Sequence, residues 1–534
     1  MPVTRTTERP NILFIITDQQ RADWLGCTGH PVLRTPNIDR IAAGGTVFDR
    51  AYVGNPVCMP NRASLMTGRL SSVTGVRQNG NPLPPFMTTF TEVLSAGGYD
   101  TALIGKAHFQ TFTEIPAPIG SNPAGAGRLA NAVDIGPDTG FVSESIAGWR
   151  ARGPDVVRLP YYGFDHADLV TFHGDMTGGA HEHWLRQQVP DLDALRGPHN
   201  GLPHDYTCPQ ALRTALPEAL YSTSYVKMRA LEYLNDAARR ERPFFAFVSF
   251  PDPHHPFTPP GRYWDMYRPE DMVLPDNLGG HVRAPRSLDW IFAQEVVDGP
   301  DSLMPQTFVT GAMRLNERQL REAMALTCGM TAMIDDAVGE ILDALERNGQ
   351  DRDTIIVFTS DHGDYMGDHG LILKGGPHFQ SLIRVPLLIK DPRRVAQCAR
   401  TQALASTLDM APTILAMAGL TPFADIQGID LGPVLDGATP SRDALLIEED
   451  SYDVDLFGLN GQYRARTLQT GRYRLTTYLG ERWGELYDLQ EDPLERVNLW
   501  DEPGARELHH ALIWQLMQAM MDGCSRSPWP TWEA

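Results

Sequence analysis

Cys58, Pro60 and Arg62 stand two residues apart in the stretch Asn55-Pro56-Val57-Cys58-Met59-Pro60-Asn61-Arg62-Ala63-Ser64-Leu65-Met66-Thr67-Gly68-Arg69. Prolines at 56 and 60 restrict the backbone on both sides of the cysteine, which suits a turn that enters a helix. Arg62 follows at a spacing that can bring its guanidinium back toward Cys58. The N-terminus of such a helix turns free N–H groups and partial positive charge toward whatever binds beside the cysteine. The chemistry this allows is an anion held against a nucleophile. Taken alone, however, cysteine and arginine favour the plainer reading, a buried structural cysteine at a Pro-rich turn.

Other groups change that balance. Asp18-Gln19 follows the apolar run 11–17, Lys106 and His108 follow 99–104, His254 follows 243–250, and Asp361-His362 follows 354–360. Short continuous apolar runs of this kind read as buried parallel strands. Open α/β sheets bind their ligands at the carboxyl ends of such strands. Asp18, Gln19, Asp361 and His362 supply mostly hard oxygen donors and one imidazole, enough for one divalent cation. That donor set suits Ca²⁺, Mg²⁺ or Mn²⁺, with the imidazole tilting the choice toward Mn²⁺. Each pair alone is weak, because an aspartate at a strand end more often caps a helix or a turn. His166, His173, His181, His183 and His255 belong to no motif and read as structural.

The elements that must carry these groups alternate between strand and helix. Residues 36–43 read as a helix stopped by Gly44-Gly45, 47–53 as a strand, 90–97 as a helix, and 217–240 as a longer one. Met330, Met333, Ile334, Ala337, Val338, Ile341, Leu342 and Leu345 fall on one helical face, a core stripe closed by Gly349. Residues 385–389 read as a strand and 403–418 as a helix. The segments 111–215 and 260–316 lack periodicity and are expected to form long loops over the sheet, where substrate shape is set. The alternation predicts an α/β fold, a mostly parallel sheet covered on both faces by helices. Past residue 441 the pattern shifts to short polar and aromatic strands and a terminal helix, 507–521. The expected division is therefore a catalytic domain over 1–440 and a smaller α+β subdomain over 441–534.

Composition bounds the partners. The chain has 534 residues, of which 42% are hydrophobic and 21% charged; 46 Lys and Arg against 66 Asp and Glu leave a formal charge of −20. An acidic surface of that size excludes the basic footprint that nucleic-acid binding requires. Any anion site must then be built locally from particular cations. Six scattered cysteines form neither a disulfide framework nor a zinc cluster and fit a reducing compartment. Residues 1–10 carry no apolar signal core and 12–16 are too short to span a bilayer, so the expected location is cytoplasmic, away from the membrane.

Cys58-Met59-Pro60-Asn61-Arg62 with Thr67-Gly68-Arg69, Thr17-Asp18-Gln19, Gly105-Lys106-Ala107-His108, Pro253-His254-His255-Pro256-Phe257 and Thr359-Ser360-Asp361-His362-Gly363 occur in one order along the chain. Together with Glu485-Leu486-Tyr487-Asp488-Leu489 near the end, this set resembles the type I sulfatases of the alkaline phosphatase superfamily. The resemblance implies that Cys58 is oxidised after translation to Cα-formylglycine by a formylglycine-generating enzyme that reads Pro60 and Arg62. The hydrated aldehyde, held on the metal beside Arg62, would attack sulfur, and its second hydroxyl would then expel sulfate. Asp18, Gln19, Cys58, Asp361 and His362 would form the metal site. Lys106 and Lys374 would bind the sulfate oxygens. His254 would protonate the leaving oxygen and His108 would serve the second step. Asn79 and His378 are weaker candidates for the substrate pocket. Related enzymes also suggest a homo-oligomer.

Two positions depart from the sulfatase pattern. The family commonly has a carboxylate where Gln19 stands and often an asparagine where His362 stands. Asp-Gln and Asp-His pairs resemble the phosphonate monoester hydrolase and phosphodiesterase branch of the superfamily. That branch places Tyr and Thr where this chain has Lys106 and His108, the usual sulfatase pair. The expected activity is cleavage of small sulfate monoesters of the arylsulfatase type, with phosphonate monoester or phosphodiester hydrolysis as the alternative on the same scaffold.

Overall fold

The computed structural model describes residues 9–113, 142–279, 281–293, 311–394, 399–438, 442–451 and 463–525. Asn11–Thr17 (β1) is a seven-residue apolar run with six of its positions buried. Such a strand is stable only where sheet and helices cover it on all sides. It lies inside a nine-stranded sheet made with Thr46–Tyr52 (β2), Asp100–Lys106 (β3), His166–Thr171 (β4), Gly178–Gly179 (β5), Phe244–Ser249 (β6), Thr354–Ser360 (β8), Leu387–Lys390 (β10) and Ala399–Ser406 (β11). Met313–Arg314 (β7) and Leu371–Ile372 (β9) form a separate two-stranded ribbon. The order in the large sheet is β11-β2-β10-β8-β1-β6-β3-β4-β5. Only β10 and β5 run against the others.

Register decides where the exits fall. Thr17 pairs with Ser360, Ile16 with Ser249, Gly105 with Ser249, and Lys106 with Val170. The carboxyl ends of β1, β8, β6, β3 and β4 are therefore level, and the residues that follow them emerge at one edge. The core between these strands is aromatic: Phe14 stacks on Phe247 with centroids 5.2 Å apart, and Phe90 meets Phe245 edge-on at 5.3 Å.

Two groups of helices cover the sheet. Glu317–Arg347 packs against Ser222–Asn235 and Pro36–Ala43. Its start is fixed by a reciprocal cap: Asn316 Oδ1 accepts from the Gln319 amide at 3.0 Å, and Gln319 Oε1 accepts from the Asn316 amide at 3.1 Å. This helix begins well before the stripe legible from Met330 onward, and Gly349 takes the left-handed conformation beyond its end, at φ 67°. Cys58–Thr67, Phe90–Ala96 and Met410–Met417 make up the other group.

Two expectations fail. The described part of the 111–215 loop region supplies β4 and β5 of the main sheet and the helices Ile146–Arg152 and Ala180–Gln188. Its β4 escapes the apolar-run test because its first three residues are only half-buried. The 403–418 helix is also wrong at its start: Ala403 to Ser406 belong to β11, which pairs with β2 across an irregularity between Thr401 and Leu404, and the helix begins at Met410.

Ala444–Ser451 (β12), Tyr463–Thr470 (β13), Tyr473–Tyr478 (β14) and Gly484–Asp488 (β15) form an antiparallel meander, and the helix Arg506–Asp522 packs on β12 and β13. Inside it the fully buried Arg474 is bonded to Glu485 at 3.0 Å and to Glu495. Glu495 in turn accepts from the Gln380 amide at 2.7 Å. This joins the small sheet to the loop that carries Lys374. No helix among the described residues is long and apolar enough to cross a membrane.

Candidate active site

The helix Cys58–Thr67 is buried along its whole length, and its N-cap, Val57, makes no side-chain cap bond. The cap comes from elsewhere: Asn79 Oδ1 accepts from the Met59 amide at 3.1 Å. The carbonyl of Asn79 is thus committed to holding the nucleophile's helix. Asn61 fixes the same turn, taking N–H from Gly54 at 3.0 Å and the Thr407 hydroxyl at 2.7 Å, and donating to the Asp361 carbonyl.

Around Cys58 the strand exits converge. Its Sγ lies 3.1 Å from His362 Nε2, 2.9 Å from Lys374 Nζ and 3.8 Å from Asp18 Oδ1. Arg62 donates from Nε to Asp361 Oδ2 at 2.7 Å, and from one terminal nitrogen to the Lys106 carbonyl at 2.7 Å and Ser249 Oγ at 3.0 Å. Its other terminal nitrogen lies 3.6 Å from Asp18 Oδ2. Lys106 pairs with Asp18. Lys374 also reaches His254 Nε2 at 2.8 Å and His362 Nε2 at 3.1 Å. Its loop is held from behind, because Tyr463 donates to the Gly376 carbonyl at 2.9 Å and Tyr365 to the Pro377 carbonyl at 2.7 Å.

Asp18, Cys58, Asp361 and His362 each turn one ligand atom into a space where these atoms lie within 4.8 Å of one another. His362 Nδ1 sits 2.8 Å from the Gly363 carbonyl. A carbonyl can only accept, so Nδ1 carries the proton and Nε2 presents its lone pair to the cluster, the state a metal-binding imidazole needs. Gln19 donates from its amide nitrogen to Asp364 and leaves Oε1 buried without a hydrogen-bond partner. A buried orphan acceptor is what a cation would satisfy, and the backbone N–H of the same residue donates to Asp361 Oδ1 at 3.0 Å. The donor set fits a hard divalent ion, and Asp18, Asp361, His362 and Gln19 could hold it.

Electrostatics set the protonation states. Burial pushes the Cys58 thiol up and Asp18 adds to this, but the Lys106 and Lys374 ammonium groups beside it hold it below the ordinary cysteine range. Burial, with Lys106 and His173 adding, keeps His108 well below the usual histidine range. Its ring stacks on Phe112 at 4.0 Å, its Nδ1 is buried without a partner, and its backbone N–H donates to Glu144 at 2.6 Å. Glu144 also takes the amides of Phe109 and Gln110 and the Tyr161 hydroxyl, so one buried carboxylate shapes the whole exit of β3.

Sequence reasoning missed two site residues and placed one too near. His173, read as structural, lies at the exit of β4 with Nε2 2.7 Å from Lys106 Nζ, its ring stacked on His254 at 3.6 Å. His255, also read as structural, sits 3.1 Å from Gln19 Nε2. The one available signal for His173 was a strand at 166–171. His378 is bonded instead to Thr467 Oγ1 at 2.8 Å and Glu449 Oε2 at 2.9 Å, which makes it a tether to the small sheet.

The sulfatase family profile matches residues 10–117 and 172–420. The chain belongs to the sulfatase family. A second profile, for the C-terminal part of N-sulphoglucosamine sulphohydrolase, matches residues 367–522 of this sulfatase. The chain is 30% identical over 542 residues to the multifunctional alkaline phosphatase superfamily protein PehA of Trinickia caryophylli, covering 96% of both chains. To the arylsulfatase of Clostridium perfringens it is 27% identical, covering 92% of this chain and 90% of that one. The crystal structure of the phosphonate monoester hydrolase of Agrobacterium radiobacter aligns with a TM-score of 0.76 at 26% identity, covering 97% of each chain. The sulfatase is thus an enzyme of the alkaline phosphatase superfamily, with the α/β architecture expected for it.

Proposed function

We propose that this sulfatase cleaves small sulfate monoesters of the arylsulfatase type, using Cys58 as the precursor of its nucleophile. One observation carries the reading: Cys58 Sγ sits within 3.1 Å of both Lys374 and His362, with Asp18 beside it, at the meeting point of five strand exits. The chemistry supplied from outside the standard side chains would be an activated oxygen nucleophile, from formylglycine at position 58 made by a formylglycine-generating enzyme, and the Lewis acidity of one divalent ion, Ca²⁺ or Mn²⁺, held by Asp18, Gln19, Asp361 and His362.

The chain's own residues do the rest. Arg62 locks Asp361 and the end of β3 in place and puts positive charge behind the nucleophile. Lys106 and Lys374 are fully buried ammonium groups on either side of it, placed to neutralise sulfate oxygens as charge develops. His254 is neutral, with its Nδ1 proton on the His255 carbonyl, and is placed to relay to the leaving oxygen a proton taken at Nε2 from the Lys374 ammonium that donates to it at 2.8 Å. His108, buried and held neutral, serves the second step as a base. A cytoplasmic location fits the scattered cysteines, a homo-oligomer is suggested by related enzymes, and the change to short polar and aromatic strands past residue 441 supports a division near residue 440.

Gln19 and His362 support phosphonate monoester hydrolysis as a second activity, because these two positions resemble the phosphonate monoester hydrolase branch, to whose Agrobacterium radiobacter member the chain is similar over 97% of its length. The test is a matched pair of aryl sulfate and aryl phosphonate monoester, assayed with protein made alongside a formylglycine-generating enzyme and with its Cys58→Ala variant. Sulfate should be the better substrate by kcat/KM, and the variant should lose at least about a thousandfold. Mass spectrometry of the Cys58 peptide should show the aldehyde. A variant with full activity would overturn the nucleophile, and a large phosphonate advantage would overturn the choice of ester.

A further inference from the structure

His173 touches two members of the proposed machinery without belonging to any of its motifs. Its Nε2 is 2.7 Å from Lys106 Nζ and 3.6 Å from Asp18 Oδ2. An ammonium only donates, so Nε2 must accept and the ring is neutral with its proton on Nδ1. Lys106 has three N–H groups: one goes to Asp18 and one to His173, leaving one to aim at a bound anion. With either acceptor missing, the ammonium at the end of four rotatable bonds would have no fixed direction. The other face of the ring lies flat against His254, with centroids 3.6 Å apart and planes 7° apart, and His254 is itself stacked on His255 at 4.0 Å. The three side chains Asp18, His173 and His254 cluster as closely as cation ligands do, but the Lys106 ammonium already lies between Asp18 and His173.

We propose that His173 is a positioning residue for the sulfatase reaction, its Nε2 aiming the Lys106 ammonium at the ester's anionic group and its ring face seating the His254 imidazole. The assignment rests on the ester-hydrolase reading above. It divides into two separable roles, so different substitutions remove different ones. His173→Phe keeps a flat ring against His254 and removes the acceptor. His173→Gln keeps an acceptor and removes the stack. His173→Ala removes both.

The experiment measures kcat and KM over a series of aryl sulfates of rising leaving-group pKa, with competitive inhibition by inorganic sulfate and a thermal melt for each variant. The Phe variant should bind inorganic sulfate about tenfold more weakly, with wild-type dependence on the leaving group. The Gln variant should bind sulfate within about twofold of wild type and lose rate selectively on the poorest leaving groups. The Ala variant should show both defects while melting within a few degrees of wild type. Wild-type protein inert toward aryl sulfates and aryl phosphonates alike would overturn the reading of the reaction. An active wild type with an unchanged His173→Ala variant would overturn the role of His173 alone. So would Phe and Gln variants that fail in the same way.

Discussion

Arg62 is the side chain on which most of the site depends. It is almost fully buried and bonds the carboxylate of Asp361, the carbonyl of Lys106 and the hydroxyl of Ser249, so one guanidinium ties together the ends of β8, β3 and β6. A lysine keeps the charge but cannot fork to three partners. Arg62→Lys should lower kcat/KM by at least about a hundredfold and cost about 3 kcal/mol in denaturant titration, because Asp361 loses its closest partner in a dry interior. A variant with near-normal rate and stability would show that charge alone suffices there. Arg62 was legible in the sequence because its partner motif is local, four residues from Cys58. His173 was not, because nothing near it marks a strand; its meaning comes from Lys106, 67 residues away, and from register. Asn79 was legible as a polar residue near the site, but its part in holding the helix of Cys58 through Oδ1 was not.

The elements most readable in the sequence were those buried on both faces. β1 and β8 fall where the apolar runs put them, since a strand enclosed by sheet and helices has no polar face to blur its pattern. β4 lies near the sheet's margin, half-exposed, and its histidine and aspartate hide it. β11 was lost for another reason: its alanines suit a helix as well as a strand, and only pairing with β2 decides. Close strand contact also imposes a constraint no pattern shows. Gly105 in β3 has φ 111°, and a Cβ there would press inside contact distance of the Ser249 carbonyl of β6. Gly105→Ala should therefore destabilise the protein by more than about 3 kcal/mol and shift Lys106 out of place. Unfolding in urea together with inhibition by inorganic sulfate would measure both; a variant as stable as wild type would mean the two strands can part there without loss.

For the molecule as a whole, buried histidines set the acid limit of stability. His181 is fully buried, with Nε2 2.9 Å from the Leu220 carbonyl and Nδ1 2.7 Å from the Thr177 hydroxyl. The neutral ring satisfies both partners. Burial, reinforced by Arg196 and opposed by the Leu220 carbonyl, pushes its pKa down to about 4. The unfolded chain takes up the proton near 6.5 while the native protein does not. The contribution is thus intact above about pH 6.5 and is lost progressively as pH falls toward 4, about 3 kcal/mol in all. Between pH 7.5 and 4.5, wild type should lose more stability than His181→Gln by roughly that amount, measured by urea unfolding. Parallel losses would place the proton uptake elsewhere.

The central place of β1 also has a consequence in time. Its neighbours are β6 and β8, and the amide of Gln19 just past its end is bonded to Asp361, 342 residues further on. A growing chain cannot close that sheet until β8 has left the ribosome, when Cys58 has been outside for about 300 residues of synthesis, roughly 15–60 s at ordinary rates. In the finished fold Cys58 is 1% exposed. An enzyme that must reach this side chain works against the clock of translation: slower elongation between residues 58 and 360 lengthens its opportunity, and faster elongation shortens it.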